Sequence, residues 1–193
     1  MRVIAGSAGG RKLISPDGMH IRPTTDRMKE NLFNILAARL SGARFLDVFC
    51  GTGAIGIEAL SRGAQSAVFV DTNVSLLVRN LALTGFTEKA AVLKGDYPAA
   101  IRKLSEKHQE FDIIFMDPPY YKGLIPQAAK LIRDMGLLDP QGLLAAESAP
   151  DEDMPPIDDL SLYKVKRYST SVFFFYQPQK GTLDNDSHFS RNI

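Results

Sequence analysis

Phe111-Asp112-Ile113-Ile114-Phe115-Met116-Asp117-Pro118-Pro119-Tyr120 is the stretch on which the reading of this chain turns. Its first six residues, mostly β-branched or aromatic, read as a buried central strand. Two prolines then stop it. Neither donates a ladder hydrogen bond, and Pro118 also holds Asp117 in an extended conformation. The product is a stiff loop at a strand's C-terminal end, with a carboxylate at its start and an aromatic ring at its close. In an open α/β sheet, that edge is where ligands bind.

Such a loop suits one kind of chemistry. An exocyclic amine on a nucleobase is a poor nucleophile, because its lone pair is delocalised into the ring. Asp117 and the carbonyls beside Pro118 and Pro119 offer acceptors for the two N–H hydrogens, which favours a pyramidal nitrogen. Tyr120 offers a stacking face, a contact worth about 1–3 kcal/mol. A plain rigid turn with an exposed tyrosine would have the same sequence, so the tetrapeptide gains meaning only with a cofactor loop upstream.

That loop is present. Phe45-Leu46-Asp47-Val48-Phe49 reads as a strand leading into Cys50-Gly51-Thr52-Gly53 and a helix through Leu60. Gly51, Gly53 and Gly56 match Gly-x-Gly-x-x-Gly, the dinucleotide fingerprint, but the pattern alone is weak. Three features argue against a nicotinamide cofactor: some 45 residues of other structure come first, Asp47 precedes the glycines on the strand, and a Pro-Pro-Tyr loop closes the opposite strand. Asp47-x-Phe49-x-Gly51-Thr52-Gly53 favours S-adenosylmethionine, whose methionine ammonium wants a nearby carboxylate. Cys50 has no histidine near it in sequence and reads as a small packing residue.

Two further acids fall at strand ends. Asp71 closes the strand 67–71, about 20 residues beyond the glycine turn, where a carboxylate can bind both ribose hydroxyls. Asp96 follows the strand 91–93 and is placed to accept from an adenine amino group. Turn or N-cap chemistry is the competing reading for both.

Ahead of this lies a basic segment. Residues 2–5 and 11–14 read as strands of a β-hairpin around Gly6-Ser7-Ala8-Gly9-Gly10. Arg2, Arg11 and Lys12 on its arms suit either a phosphate backbone or a structural flap. Arg22-Pro23-Thr24-Thr25-Asp26-Arg27 opens a helix with Met28, Leu32, Ile35, Leu36 and Leu40 on one face, ended by Ser41-Gly42. Its N-terminus, flanked by Arg22 and Arg27, can hold a carboxylate. The first 44 residues carry eight Lys and Arg against three acids, while acid gathers at 151–153 and 158–159. That asymmetry points to a nucleic-acid-facing N-terminal part.

The rest follows the same alternation. Helices are expected at 74–84, 98–107 and 124–135, a turn at 139–142 leading into the strand 143–147, an irregular acidic loop at 149–159, and a closing hairpin from 162–168 and 171–176. With 193 residues, 45% apolar, the chain fits one α/β domain: a seven-stranded, mostly parallel sheet with helices on both faces and a C-terminal antiparallel hairpin. The expected division is a basic hairpin extension at 1–24, the α/β domain at 25–177 and a flexible tail at 178–193. A single cysteine excludes an internal disulfide, and no metal-ligand spacing is visible. No apolar run approaches the ~20 residues of a membrane span. A cytoplasmic protein fits these features.

Taken together, Arg2-Val3-Ile4-Ala5-Gly6, residues 22–27, residues 46–53 and Asp117-Pro118-Pro119-Tyr120 resemble the RsmD-type methyltransferases over roughly residues 1–178. These modify guanine N2 of small-subunit ribosomal RNA. The resemblance implies a class I, Rossmann-like fold using S-adenosylmethionine without a metal. It implies Asp47, Phe49, Gly51, Thr52, Gly53 and Thr24 around the methionine end, Asp71 at the ribose and Asp96 at the adenine. Arg2, Arg11, Lys12, Arg22 and Arg27 would face ribosomal RNA, free or within an assembling small subunit. Asp117 would orient the amine of an extruded guanine and Tyr120 would stack on it, with Pro118 and Pro119 shaping the loop. A DNA adenine-N6 methyltransferase shares both loops but usually carries a sizeable target-recognition domain. A protein-glutamine methyltransferase would more usually present Asn at 117, and a non-catalytic nucleic-acid-binding protein would not need Asp47, Asp71, Asp96 and Asp117 together.

Overall fold

The computed structural model describes residues 1–16 and 26–179. The expected Thr24 and Arg22 sites and the 180–193 part of the tail lie outside them. Seven strands form one sheet in the order β3-β2-β1-β4-β5-β7-β6: β1 Arg44–Val48, β2 Ser66–Asp71, β3 Ala90–Lys94, β4 Phe111–Met116, β5 Leu138–Ser148, β6 Leu160–Arg167 and β7 Val172–Pro178. The first five are parallel, and β7 pairs antiparallel to both β5 and β6. The order reverses between β1 and β4, which opens a crevice at their C-terminal ends.

Alternation along the strands builds two cores. Phe45, Phe69, Ile113 and Phe115 face α1 Asp26–Leu40, α2 Ala54–Ser61 and α3 Ser75–Thr84. Leu46, Val48, Val68, Ile114 and Met116 face α4 Tyr97–Glu106 and α5 Leu124–Asp134. Burial on both faces is why β4 carries no polar alternation. The expected 139–142 turn is absorbed into β5, whose register against β4 slips between Phe111 and Ile113.

The expected N-terminal hairpin is not formed. Residues 1–16 contain a single antiparallel bridge, Arg2 to Lys12, and no ladder. The two arms meet only around that bridge, through Val3 N–H to the Arg11 carbonyl (2.9 Å) and Leu13 N–H to the Met1 carbonyl (3.1 Å), and past Val3 the chain turns onto α2 instead. Ile4 and Ala5 N–H groups donate to the Glu58 carboxylate (2.7 and 3.0 Å), and Ala8 N–H to the Ser61 hydroxyl (3.0 Å). Val3, Ala8 and Leu13 are buried in the α1–α3 core, and the segment is pinned to α2 at residues 4–8 and to α3 at Arg11 and Ile14. Gly6 makes this close approach possible: at φ +83°, a Cβ there would lie 1.8 Å from the Ser61 carbonyl oxygen.

A buried charge cluster completes the anchor. Lys29 is 1% exposed; its ammonium lies 3.3 Å from Glu58 and also donates to the Arg2 carbonyl. Arg62 donates to the same carboxylate at 2.7 Å and stacks over Phe33. Burial lowers the Lys29 pKa, with Glu58 acting against it.

Candidate active site

A cleft of about 440 Å³ opens at the ends of β2, β1 and β4. Phe49 comes from the β1 end, Asp71 and Thr72 from the β2 end, and Asp117, Pro118, Pro119 and Tyr120 from the β4 end. The glycine-turn strand, through Phe49, and the Pro-Pro-Tyr loop, from Asp117, therefore open into one space although 68 positions apart in the chain. The parallel pairing of β1 with β4, which matches Val48 to Met116, puts the two loops side by side.

The glycine turn is held from several directions. Phe49 takes a left-handed φ of +63°, costly for a residue with a Cβ, and its ring packs on Tyr97 at 5.1 Å. Asp71 accepts from Gly51 N–H at 2.8 Å and Asn73 N–H at 3.0 Å, so it braces the turn while lining the cleft. A Cβ on Gly51 would meet nothing within 4 Å, whereas one on Gly53 would strike Leu77 and one on Gly56 would strike Phe69. Gly51 thus leaves room for a ligand, and Gly53 and Gly56 permit close packing of α2. Cys50 is buried and burial pushes its thiol pKa up, which suits a packing role rather than a nucleophile.

Asp47 sits one layer below. In register with Phe69 on β2 and Phe115 on β4, it is buried and accepts from Gly56 N–H at 2.8 Å. Burial, with Asp71 nearby adding repulsion, raises its pKa to about 7. Folding of the ligand-free protein therefore takes up a proton between the unfolded value of 3.8 and about 7. The stability this contributes is fully present below the unfolded value and lost as pH rises through the folded one. Asp47→Asn removes the titration. Between about pH 5 and about pH 8, wild type is expected to lose about 2–3 kcal/mol relative to that variant. Melting curves across that range check it; parallel pH dependence of the two proteins would contradict it.

Asp117 is half-buried and its pKa is raised well above the usual carboxylate range, first by burial and then by Glu147 and Asp47. Glu147 is a site residue that the sequence reading missed. It ends a strand of apolar residues and gives no local signal, but β4–β5 pairing of Met116 with Ala146 brings it beside Asp117. It is 3% exposed and accepts from the Tyr120 hydroxyl at 3.3 Å, which fixes the ring at the cleft wall. Asn80 was also missed. Its side chain accepts from Ile14 N–H and donates to the carbonyls of Ile14 and Thr52, so it ties the N-terminal segment to the glycine turn.

The other expected residues fall outside the cleft lining. Asp96 caps α4, accepting from Ala99 N–H at 2.9 Å. Arg2, Arg11, Lys12 and Arg27 are exposed; Arg2 pairs with Asp26 at 2.9 Å, and Arg11 donates to the Leu83 carbonyl at 2.7 Å. The Thr52 hydroxyl reaches the Met1 sulfur at 3.6 Å, so this basic segment runs beside the glycine turn.

The family described as Conserved hypothetical protein 95 matches residues 1–177. The chain belongs to that family. It is 36% identical over 191 residues to ribosomal RNA small subunit methyltransferase D of Escherichia coli strain K12, covering 96% of this chain and 94% of that protein. The solved structure of yhhF from Escherichia coli superposes with a TM-score of 0.79 at 35% identity, covering 92% of this chain and 97% of the other. At the level of fold alone, the structure of SMU.776 complexed with SAH gives a TM-score of 0.61 at 17% identity, over 77% of this chain and 48% of that one. Among the described residues, no helix of this family member is long and apolar enough to cross a membrane.

Proposed function

We propose that this protein transfers a methyl group from S-adenosylmethionine to the exocyclic N2 amine of a guanine in small-subunit ribosomal RNA. One observation carries the reading: the strand leading to the glycine turn and the Asp117-to-Tyr120 loop line a single cleft, with acids at its floor and wall. Gly51 leaves open space where a cofactor's backbone contacts would fall, and Asp71 lines the cleft with Asp47 buried beneath it, an acidic setting that suits a cationic ligand. When bound, the sulfonium would supply an electrophilic methyl carbon and leave as a neutral thioether.

The chain's own groups do the rest. Asp117, as the carboxylate, accepts an N–H of the target amine and takes up that proton as the N–C bond forms, and the carbonyls beside the prolines accept the other N–H. Tyr120, held through its hydroxyl by Glu147, stacks on the purine. Asp71 accepts from ribose hydroxyls while keeping its bonds to Gly51 and Asn73, as a carboxylate has lone pairs for both. Asp96 keeps its cap and offers its remaining acceptor capacity to the adenine side. Most of the acceleration comes from holding amine and methyl donor in line within a fixed cleft. Turning a guanine out of a helix costs a few kcal/mol, much less for a loop nucleotide.

Arg2, Lys12 and Arg27 lie exposed along the N-terminal segment and the start of α1, and we assign them to the RNA backbone. An assembled or assembling small subunit, which presents RNA in a fixed shape, suits so modest a basic surface. Replacing Lys12 and Arg27 together with alanine is expected to make the log–log salt dependence of RNA binding shallower by about 1.5–2. An unchanged slope would place this surface outside the interface. The reaction itself is tested by labelled methyl transfer to small subunits, free ribosomal RNA, DNA and protein in parallel. N2-methylguanosine in the small-subunit RNA is the expected product, and label in DNA or protein alone would overturn the assignment.

A further inference from the structure

Tyr121 follows the four-residue loop and has no place in the reaction derived above. It is the most exposed of the large apolar and aromatic side chains among the described residues, 65% accessible, and next in the chain to Tyr120, which lines the cleft. Its backbone is held at φ +59°, a conformation that a bulky side chain rarely adopts. Two acids from the loop after β5 hold it there. Glu152 accepts from the Tyr121 N–H at 3.0 Å, and Asp151 accepts from its hydroxyl at 2.6 Å. Glu152 is itself anchored to the end of β5 by the Ser148 hydroxyl at 3.3 Å. The Tyr121 ring stands edge-on to Tyr120, 6.4 Å between centroids and 88° between planes.

An exposed ring kept in a strained backbone conformation and tethered at both ends is preorganised. The tethers reach its hydroxyl and its N–H, and so fix the position and long axis of the ring. Continuity with Tyr120 decides what the ring meets. When a guanine enters against Tyr120, the next nucleotide of the same strand lies at the cleft mouth, one backbone step away. We infer that Tyr121 is a second nucleobase-binding residue, stacking on a nucleotide adjacent to the target guanine, with Asp151 and Glu152 as its positioning residues. This rests on the proposed RNA substrate.

The test is a substitution series at Tyr121, assayed with small ribosomal subunits from cells lacking the enzyme. Tyr121→Ala and Tyr121→Leu are expected to raise KM about tenfold, with a smaller change in kcat and no change in cofactor affinity. Tyr121→Phe and Tyr121→Trp keep a stacking face but lose the hydroxyl that Asp151 holds, and their KM is expected to lie between wild type and the alanine variant. A KM unchanged in the alanine variant, or fully restored by leucine, would overturn the inference. The chain contains no tryptophan, so Tyr121→Trp also supplies a lone fluorophore. Should wild type methylate no RNA, the proposed reaction fails by itself, and titration of that variant with protein-free small-subunit RNA still decides. Quenching supports a stacking residue; unchanged emission rules it out.

Discussion

Replacing Asp117 with alanine is expected to lower the turnover number for methyl transfer by about 10³-fold, while cofactor affinity changes only a few-fold. The loss follows from position. Asp117 stands at the tip of β4 in the cleft, where it takes up the N–H of an amine that is otherwise a poor nucleophile. Asp117→Asn keeps one acceptor oxygen and is expected to retain at least about ten times more activity than the alanine variant. Misfolding would not explain the result. The Asp117 carboxyl is held against burial, Glu147 and Asp47, so its removal relieves repulsion and the melting temperature should hold or rise. Single-turnover kinetics with saturating cofactor make the measurement. Near wild-type turnover in the alanine variant would remove Asp117 from the chemistry.

Glu58→Ala is expected to cost about 3–5 kcal/mol of stability and to lower the melting temperature by roughly 10 °C. The carboxylate is fully buried and carries Lys29, Arg62 and the N–H groups of Ile4 and Ala5 at once. Without it, the Lys29 ammonium is left buried with no counter-ion from Glu58, and two backbone donors lose their acceptor. The damage should be directional. Residues 1–16 are expected to become open to protease, and RNA affinity to fall with them, because Arg2 and Lys12 ride on that segment. A melting temperature within about 2 °C of wild type would mean that the apolar contacts of Val3, Ala8 and Leu13 hold the segment unaided.

The two loops that matter most were readable because each carries its structure locally. Prolines after an apolar run end a strand wherever it lies, and Gly51, Gly53 and Gly56 announce a tight strand-to-helix turn. Asp71 was readable for the same reason, as an acid at the last residue of an apolar run. The N-terminal hairpin misled because its two arms do carry strand-like residues. What decided against a longer ladder was α2, more than 50 positions away, whose Glu58 carboxylate and Ser61 hydroxyl take the Ala5 and Ala8 N–H groups. Lys29, one of the eight basic residues in the first 44, is buried rather than turned to a partner outside, and only Glu58 on α2 makes that burial tolerable.

Residue types and their spacing along the chain alone determined the strand–helix alternation, the glycine turn and the carboxylate at the tip of the central strand, because periodicity, proline and glycine act within a few residues. Only the tertiary structure decided that Glu147 stands beside Asp117 and Tyr120, that Asn80 ties Ile14 to Thr52, and that the acidic loop holds Tyr121. Those contacts depend on parallel strand register and on side chains meeting across elements tens of residues apart. Every one of them is polar, and a polar side chain carries no mark in sequence of which distant partner will satisfy it once both leave water.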